Sequence, residues 1–186
     1  MIETSRLKLI PPSLDHQPQL FNAIQESQVE LRQFLPWVDD ALCEKSSIEQ
    51  TEKAIENYQN FTEELRFSLV DKENGRLIGV LVLKIRDASV PCFEIGYWLR
   101  SSCTGNGYIT EAVHRMQQYA FDDLGANRVE IRVPDINFKS RAVAERCGFL
   151  LEGLHIYDHR LPNGELGDTA VYSKTKKDKK QNGTTS

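Results

Sequence analysis

The chain has 186 residues, 40% hydrophobic and 27% charged, with a net charge of −4. That length suits one domain that buries its own core, and its longest apolar run, Leu77 to Leu83, is far too short to span a bilayer. Residues 1–173 carry 18 basic and 26 acidic residues, a balance that argues against a nucleic-acid partner. The opening Met-Ile-Glu-Thr-Ser-Arg lacks an apolar signal region, so a cytoplasmic protein is expected. The four cysteines, Cys43, Cys92, Cys103 and Cys147, form no Cys-x-x-Cys pair, which points to free thiols and to no metal site.

Arg6 to Ile10 alternates and is stopped by Pro11-Pro12, the pattern of a first strand. Ser13 can cap a helix running to about Ser27. Residues 28–45 read as a short helix and then a loop broken at Pro36, with Leu31, Phe34, Leu35, Trp37 and Val38 too apolar for plain linker. A second helix opens at Ser46 and Ser47, with Ile48, Thr51, Ile55, Tyr58 and Phe61 as its stripe. Three strands follow: Leu65 to Asp71, Leu77 to Arg86 and Cys92 to Leu99. The Asn74-Gly75 turn joins the first two, and an antiparallel meander is expected. A long helix runs from about Gly107 to Leu124 and stops at Gly125. The next strand, Arg128 to Val133, should pair in parallel with the strand before that helix. A short helix, Ser140 to Cys147, precedes two strands, Phe149 to Arg160 and Thr169 to Ser173, joined through Pro162-Asn163-Gly164. One α/β domain over residues 1–173 is expected, with a mostly antiparallel sheet of about seven strands and a central parallel strand–helix–strand crossover. Residues 174–186 form a lysine-rich tail whose composition reads as disordered.

The stretch from Glu94 to Ala112 organises the rest. An apolar strand ends at Leu99, a small polar turn carries Gly105 and Gly107, and apolar residues at 109, 113, 116 and 120 mark the helix that follows. Such a turn exposes backbone N–H groups at a helix N-terminus, an anion site suited to phosphate. The same pattern is also that of an ordinary tight turn. A dinucleotide fold would need a third glycine where Thr110 stands, and no Gly-Lys-Ser/Thr phosphate loop occurs.

Three stretches together resemble the GNAT superfamily of N-acetyltransferases, most closely the RimJ/RimL type that acetylates protein N-termini. They are Thr4-Ser-Arg-Leu-Lys-Leu9; Glu94-Ile-Gly-Tyr-Trp-Leu99 followed by Thr104-Gly-Asn-Gly-Tyr-Ile-Thr-Glu-Ala112; and Asn137-Phe-Lys-Ser140 followed by Val143-Ala-Glu-Arg-Cys-Gly-Phe149. The resemblance implies acetyl-coenzyme A as the cofactor. Thr104, Gly105, Asn106, Gly107, Tyr108, Ile109 and Thr110 would then cradle its pyrophosphate. Tyr97, Trp98 and Leu99 would face its pantetheine arm, and Asn137 and Ser140 would lie near its sulfur. The turn departs from the family pattern at Thr104, where Gln or Arg is usual, and at Ile109, where Gly or Ala is common. Backbone donors do most of the binding in such a turn, so neither departure removes it.

Acetyl transfer needs a neutral amine, a stabilised oxyanion and a proton for the departing thiolate. At pH 7 an N-terminal amine of pKa near 8 costs about 1.4 kcal/mol to deprotonate, and a lysine near 10.4 roughly 4.6. A weak base acting through water therefore suffices for an N-terminal acceptor. Glu94 is the first candidate, at a family position often acidic, with Asp158 and His159 as alternatives on the late strand. Ser140 is the candidate donor to the thiolate, and also a candidate N-cap of its helix. Cys103, near a helix N-terminus, offers a covalent route but has no histidine clearly beside it. His155 and His159 lie four strand steps apart, about 13 Å, too far to share a metal. The acceptor groove is expected between the Leu31–Trp37 segment and the strand around Asp158. An amine acceptor is expected, the α-amine of a protein N-terminus first and a small amine such as a polyamine, aminoglycoside or amino acid as the alternative, with no membrane partner and with a homodimer left open. A non-catalytic coenzyme-A-binding module on the same fold is the rival reading.

Overall fold

The computed structural model describes residues 2–178. The strands are β1 (Ile2–Glu3), β2 (Leu7–Ile10), β3 (Glu64–Asp71), β4 (Leu77–Asp87), β5 (Cys92–Leu99), β6 (Arg128–Pro134), β7 (Leu150–Arg160) and β8 (Leu166–Thr175). The helices are α1 (Gln17–Leu31), α2 (Val38–Ala41), α3 (Glu44–Asn60), α4 (Tyr108–Gln118) and α5 (Phe138–Arg146). A single mixed sheet runs β1-β2-β3-β4-β5-β6-β8-β7. The β2–β3–β4–β5 order is the expected meander extended by the first strand, and β5–β6 is the parallel pair. The two-residue β1 was not expected; two residues carry no period.

Alternation along β4 and β5 gives the sheet two faces. Leu81, Leu83, Phe93 and Ile95 pack with α4 and α5 in one core. Val80 and Trp98 point the other way and pack with Leu20, Ile24 and Val38 of α1 and α2. On α4, Ile109, Ala112, Val113 and Met116 are buried, as the helical stripe required. Met116 is fully buried, so its truncation to alanine would cost about 2–5 kcal/mol.

Several boundaries differ from expectation for local reasons. Helix α3 starts at Glu44, its N-cap is Cys43 with no side-chain cap bond, and Phe61 ends it in the left-handed region at φ 53°. Ser47, expected to open that helix, is buried and accepts a hydrogen bond from Gln17 Nε2 at 3.2 Å. The inward face of α3 is Ser47, Thr51, Ala54 and Asn57, more polar than the predicted stripe. That polarity has a reason, because Ser47, Ala54 and Asn57 border a cavity. The long helix closes in a π-helical turn, Tyr119–Asp123. The last strand continues two residues beyond Ser173, to Thr175. Of the predicted tail, residues 179–186 lie outside the described residues.

Candidate active site

Chain direction and sheet register build the site around β5. Pairing of β5 with β6 covers only Cys92↔Arg128, Phe93↔Val129 and Glu94↔Glu130. Beyond Glu94, β6 continues its ladder with β8 as far as Pro134, while the β6-facing edge of β5 leaves its ladder. The two parallel strands therefore part at their carboxyl ends, and Ile95–Leu99 keep a backbone edge able to bind an extended arm. Ligands of open sheets gather at such a divergence.

The glycine turn leaves the end of β5. Gly105 and Gly107 have φ of 82° and 76°, a region that any side chain would strain. At the start of α4, the amides of Tyr108, Ile109 and Thr110 have no acceptor within the helix. The polar side chains of the turn brace it from within. Thr104 Oγ1 donates to Ser101 O at 3.0 Å, and Asn106 Nδ2 donates to Cys103 O and Thr104 O, both at 3.3 Å. The backbone donors of the turn are thus what it can offer an anion. Ile109 is buried in the core, and Thr110 Oγ1 accepts from Arg146 Nε at 3.5 Å. Cys103, the candidate nucleophile, is also a core residue, 8% exposed.

Two networks hold this turn, and sequence reasoning found neither. Arg6, on the far side of the chain in sequence, donates from its amide and Nε to Glu111 at 2.9 and 2.7 Å and from Nη1 to Asn106 O at 3.0 Å. Its guanidinium lies 4.5 Å from the Tyr108 ring centroid. Burial pushes the Glu111 carboxyl up, but hydrogen bonds from Thr4, Arg6 and Ser5 outweigh it and hold the group at about 2. On the other side, buried Arg100 binds Glu26 at 2.5 Å, Leu77 O at 2.7 Å and Gln19 O at 3.1 Å. Ser102 donates to Glu26 and Ser101 to Glu30, which ties α1 to the turn. Apart from the Arg100 bond to Leu77 O, 23 residues apart, these hydrogen bonds span 71 to 106 residues, so no local pattern could announce them.

At the far end of the divergence stands Tyr97. Ser140 Oγ donates to Tyr97 Oη at 2.9 Å, and Tyr97 Oη donates to Ser140 O at 3.0 Å. Burial pushes the Tyr97 phenol far above its usual range, so it stays protonated at neutral pH. Asn137, not Ser140, is the N-cap of α5; its Oδ1 accepts from Ser140 N at 3.1 Å. The cap thereby leaves the Ser140 hydroxyl to the tyrosine. Tyr97, Asn137 and Ser140 come together, whereas Trp98 projects from the opposite face. Tyr97, Trp98 and Leu99 therefore share the edge of β5 but do not turn three side chains to one slot.

On the Trp98 face lies a cavity of about 460 Å³ between α1, α3 and strands β3–β5. Leu20, Ile24, Leu35, Trp37, Val80 and Trp98 give it an apolar wall. The two tryptophan rings stand 6.2 Å apart, tilted by 50°. The opposite wall is charged and paired, Lys53–Glu63 at 3.0 Å and Arg66–Glu64 at 3.2 Å. Gly96 and Tyr97 also border the cavity. The Leu35–Trp37 side is where the sequence placed the acceptor groove, but α3 and β3 form the other side, not β7. Glu94 lies two residues before Gly96 on the same strand face, buried, and held by Lys84 at 3.4 Å and Arg86 at 3.5 Å. Asp158 is away from the cavity lining, paired with Arg132 at 3.1 Å. Its carboxyl is held below the usual range by a hydrogen bond with Thr169 and by the charges of Arg132 and His155. His159 Nδ1 faces Thr169 Oγ1 at 3.0 Å.

A parallel pair that opens beside a glycine turn, with a cavity across the same strand, is the geometry that any known relative has to match. Residues 6–150 match the acetyltransferase (GNAT) domain, and the chain belongs to that family. YdaF of Bacillus subtilis (strain 168), provisionally named a ribosomal N-acetyltransferase, is 41% identical over 105 residues, 56% of this chain and 57% of that protein. The ribosomal-protein-serine acetyltransferase of Escherichia coli (strain K12) is 28% identical over 147 residues, 79% of this chain and 80% of that one. Among solved structures, the microcin C7 self-immunity acetyltransferase MccE, in complex with acetyl-CoA and AMP, has a TM-score of 0.84 at 28% identity. That likeness covers 92% of this chain and 93% of MccE. The matches span 57% to 63% of the length of YdaF and two further Bacillus relatives.

Proposed function

We propose that the protein transfers an acetyl group from acetyl-coenzyme A to a primary amine, first of all the α-amine at a protein N-terminus, by direct attack in a ternary complex. The observation that carries this reading is the meeting of two sites on one strand. The free edge of β5 and the glycine turn suit an extended phosphate-bearing donor, and the cavity on the Trp98 face reaches the same strand at Gly96 and Tyr97. When bound, acetyl-coenzyme A supplies an activated thioester. The turn from Thr104 to Thr110 would hold its pyrophosphate through backbone amides. The edge at Tyr97, Trp98 and Leu99 would hold its arm, with Asn137 and Ser140 near the sulfur.

In this reading Glu94 assists removal of the amine proton, through water, because it lies just outside the cavity. Lys84 and Arg86 keep its carboxylate oriented. Ser140 would turn its hydroxyl from Tyr97 Oη to the departing thiolate and pass on to it, through water, the proton that the attacking amine gives up. Tyr97 Oη, which donates to the Ser140 carbonyl, keeps the residue in place, and its own raised pKa makes it a poor acid. A β5 backbone N–H polarises the carbonyl oxygen. An N-terminal amine fits this weak machinery better than a lysine side chain, which costs roughly 3 kcal/mol more to deprotonate at pH 7. The names of YdaF and of the Escherichia coli relative support a ribosomal-protein acceptor.

A small amine with an aromatic or nucleotide group is the second reading. Trp37 and Trp98 wall the cavity, and MccE is solved with acetyl-CoA and AMP. Action in the cytoplasm agrees with four free cysteines, and among the described residues no helix is long and apolar enough to cross a membrane. A homodimer would use the edge of β7, where Leu150, Ile156 and Tyr157 are exposed; light scattering on the purified protein measures it. The deciding experiment for the function is thiol release from acetyl-coenzyme A with peptide N-termini, blocked lysine peptides, spermidine, aminoglycosides and amino acids. Preference for an unblocked peptide supports the reading. A higher kcat/KM for a blocked peptide or a small amine replaces it, and no release with any amine leaves the binding-module alternative.

A further inference from the structure

We propose that Gly96 sets the size of acceptor the cavity can deliver to β5, and that its missing side chain serves the substrate and not the fold. This inference rests on the acetyl-transfer reading of the cavity. Three observations lead to it. Gly96 borders the cavity and lies on the sheet face of Glu94 and Trp98. It also falls within Ile95–Leu99, the segment of β5 whose edge is free of the β6 ladder. A Cβ built at Gly96 meets no atom within 4 Å, and its φ lies outside the left-handed region that would demand glycine.

The contrast with Gly79 shows what a structural glycine looks like in the same sheet. A Cβ there would stand 2.3 Å from Trp98 O and 2.8 Å from Leu99 Cδ2, so β4 could not pair with β5 at this register. Nothing comparable constrains position 96. A glycine in mid-strand is unfavourable relative to alanine on backbone entropy alone. The fold therefore gains nothing from Gly96. What the glycine does leave is open space where the cavity meets the strand that faces the donor arm. A methyl group there would occupy the passage of the acceptor amine, and a valine side chain would occupy more of it.

The experiment is a size series, Gly96→Ala and Gly96→Val, with Gly153→Ala as the control. Gly153 is also a strand glycine with no atom within 4 Å of a built Cβ, but it sits on β7 away from the cavity. Each protein is measured for Tm, for coenzyme A affinity by calorimetry, and for kcat/KM with peptides beginning in alanine, serine and phenylalanine. Both Gly96 variants should keep the wild-type Tm and coenzyme A affinity. Gly96→Ala should lose kcat/KM in proportion to the size of the first residue. Gly96→Val should lose on the order of a hundred-fold, the scale of a misplaced reacting group. Gly153→Ala should match the wild type throughout. Wild-type kcat/KM in both Gly96 variants overturns the inference, as does a fall in Tm large enough to account for the lost activity. No transfer by the wild type to any amine overturns the parent reading as well. Transfer by the wild type and Gly96→Val alike overturns only the role of Gly96.

Discussion

Tyr97→Phe tests whether the tyrosine–serine pair acts in catalysis or only in packing. The substitution keeps the ring and removes one oxygen that accepts from Ser140 Oγ and donates to Ser140 O. The serine hydroxyl loses its acceptor, while the serine carbonyl, inside α5, keeps the helical bond from the amide of Ala144. No group is left buried and unpaired, so the cost is that of a part-buried hydrogen bond, about 0.5–1.5 kcal/mol. For a domain of this size that loss lowers Tm by roughly 1–6 °C. If the pair also positions the hydroxyl for the departing thiolate, kcat should fall about a hundred-fold or more. Coenzyme A affinity should change little, because the turn at Gly105 and Gly107 is held by other residues. Thermal unfolding, calorimetry and thiol release on Tyr97→Phe, Ser140→Ala and the double variant measure these quantities. The double variant should be no slower than the worse single one, since groups acting as a unit are not additive. A lowered Tm with kcat intact would show the pair to be structural. Unchanged Tm and unchanged kcat would show that the hydrogen-bond cycle does not form in solution.

Gly107→Val forces a β-branched residue to φ 76°, with its Cβ 3.7 Å from Arg6 Nη2, and should weaken coenzyme A binding at least tenfold; equal affinity by calorimetry would move the phosphate site elsewhere. Glu94→Gln should lower kcat about a hundred-fold with cofactor affinity nearly unchanged, and a wild-type rate would return attention to Asp158 and His159. Glu111 is held at about 2, below the ordinary value of 4.5, so its contribution to stability is complete above pH 4.5 and is lost as pH falls towards 2. Arg6 is half exposed, which screens the pair and leaves roughly 1–2 kcal/mol. Denaturant unfolding at pH 7 and pH 3 should therefore show Glu111→Gln less stable than wild type at the first pH and the gap cut to roughly half at the second, because closure needs a pH near 2. A gap that does not narrow would exclude the carboxylate as its source.

Much of the fold was legible because its signals are local. Asn74-Gly75, the period of 109, 113, 116 and 120, and the apolar run of β5 each lie within a dozen residues. The meander, the long helix and the parallel crossover follow from them. The sheet divergence was readable only as a consequence of that crossover. Three things were not readable. The N-cap of α5 went to Asn137, because two good capping residues stand three positions apart and only backbone angles choose between them. The polar inner face of α3 contradicts a simple apolar stripe, because that face borders a cavity. The Arg6–Glu111 and Arg100–Glu26 networks join segments that sequence distance keeps apart, and charged residues at those positions look like ordinary surface.

Strand β5 carries both halves of the site because alternation and register assign its groups to different partners. Its edge beyond Glu94 is released by β6 and becomes available to a donor. Its Tyr97 side reaches α5 and Ser140, and its Gly96 and Trp98 side reaches the cavity. A shift of one residue in the β4–β5 register would exchange these faces, sending Trp98 into the α4 core and Tyr97 into the cavity. The register is therefore a functional constraint, and Gly79 enforces it, since Leu99 pairs directly opposite and leaves no room for a Cβ. Gly79→Ala should accordingly be harmful in a way that Gly96→Ala is not. It must displace the end of β5 where the glycine turn begins, so stability and coenzyme A affinity should fall together. A Gly79→Ala protein with wild-type Tm and wild-type affinity would show that β5 can yield at its carboxyl end without disturbing the turn, and the coupling of register to site would have to be abandoned.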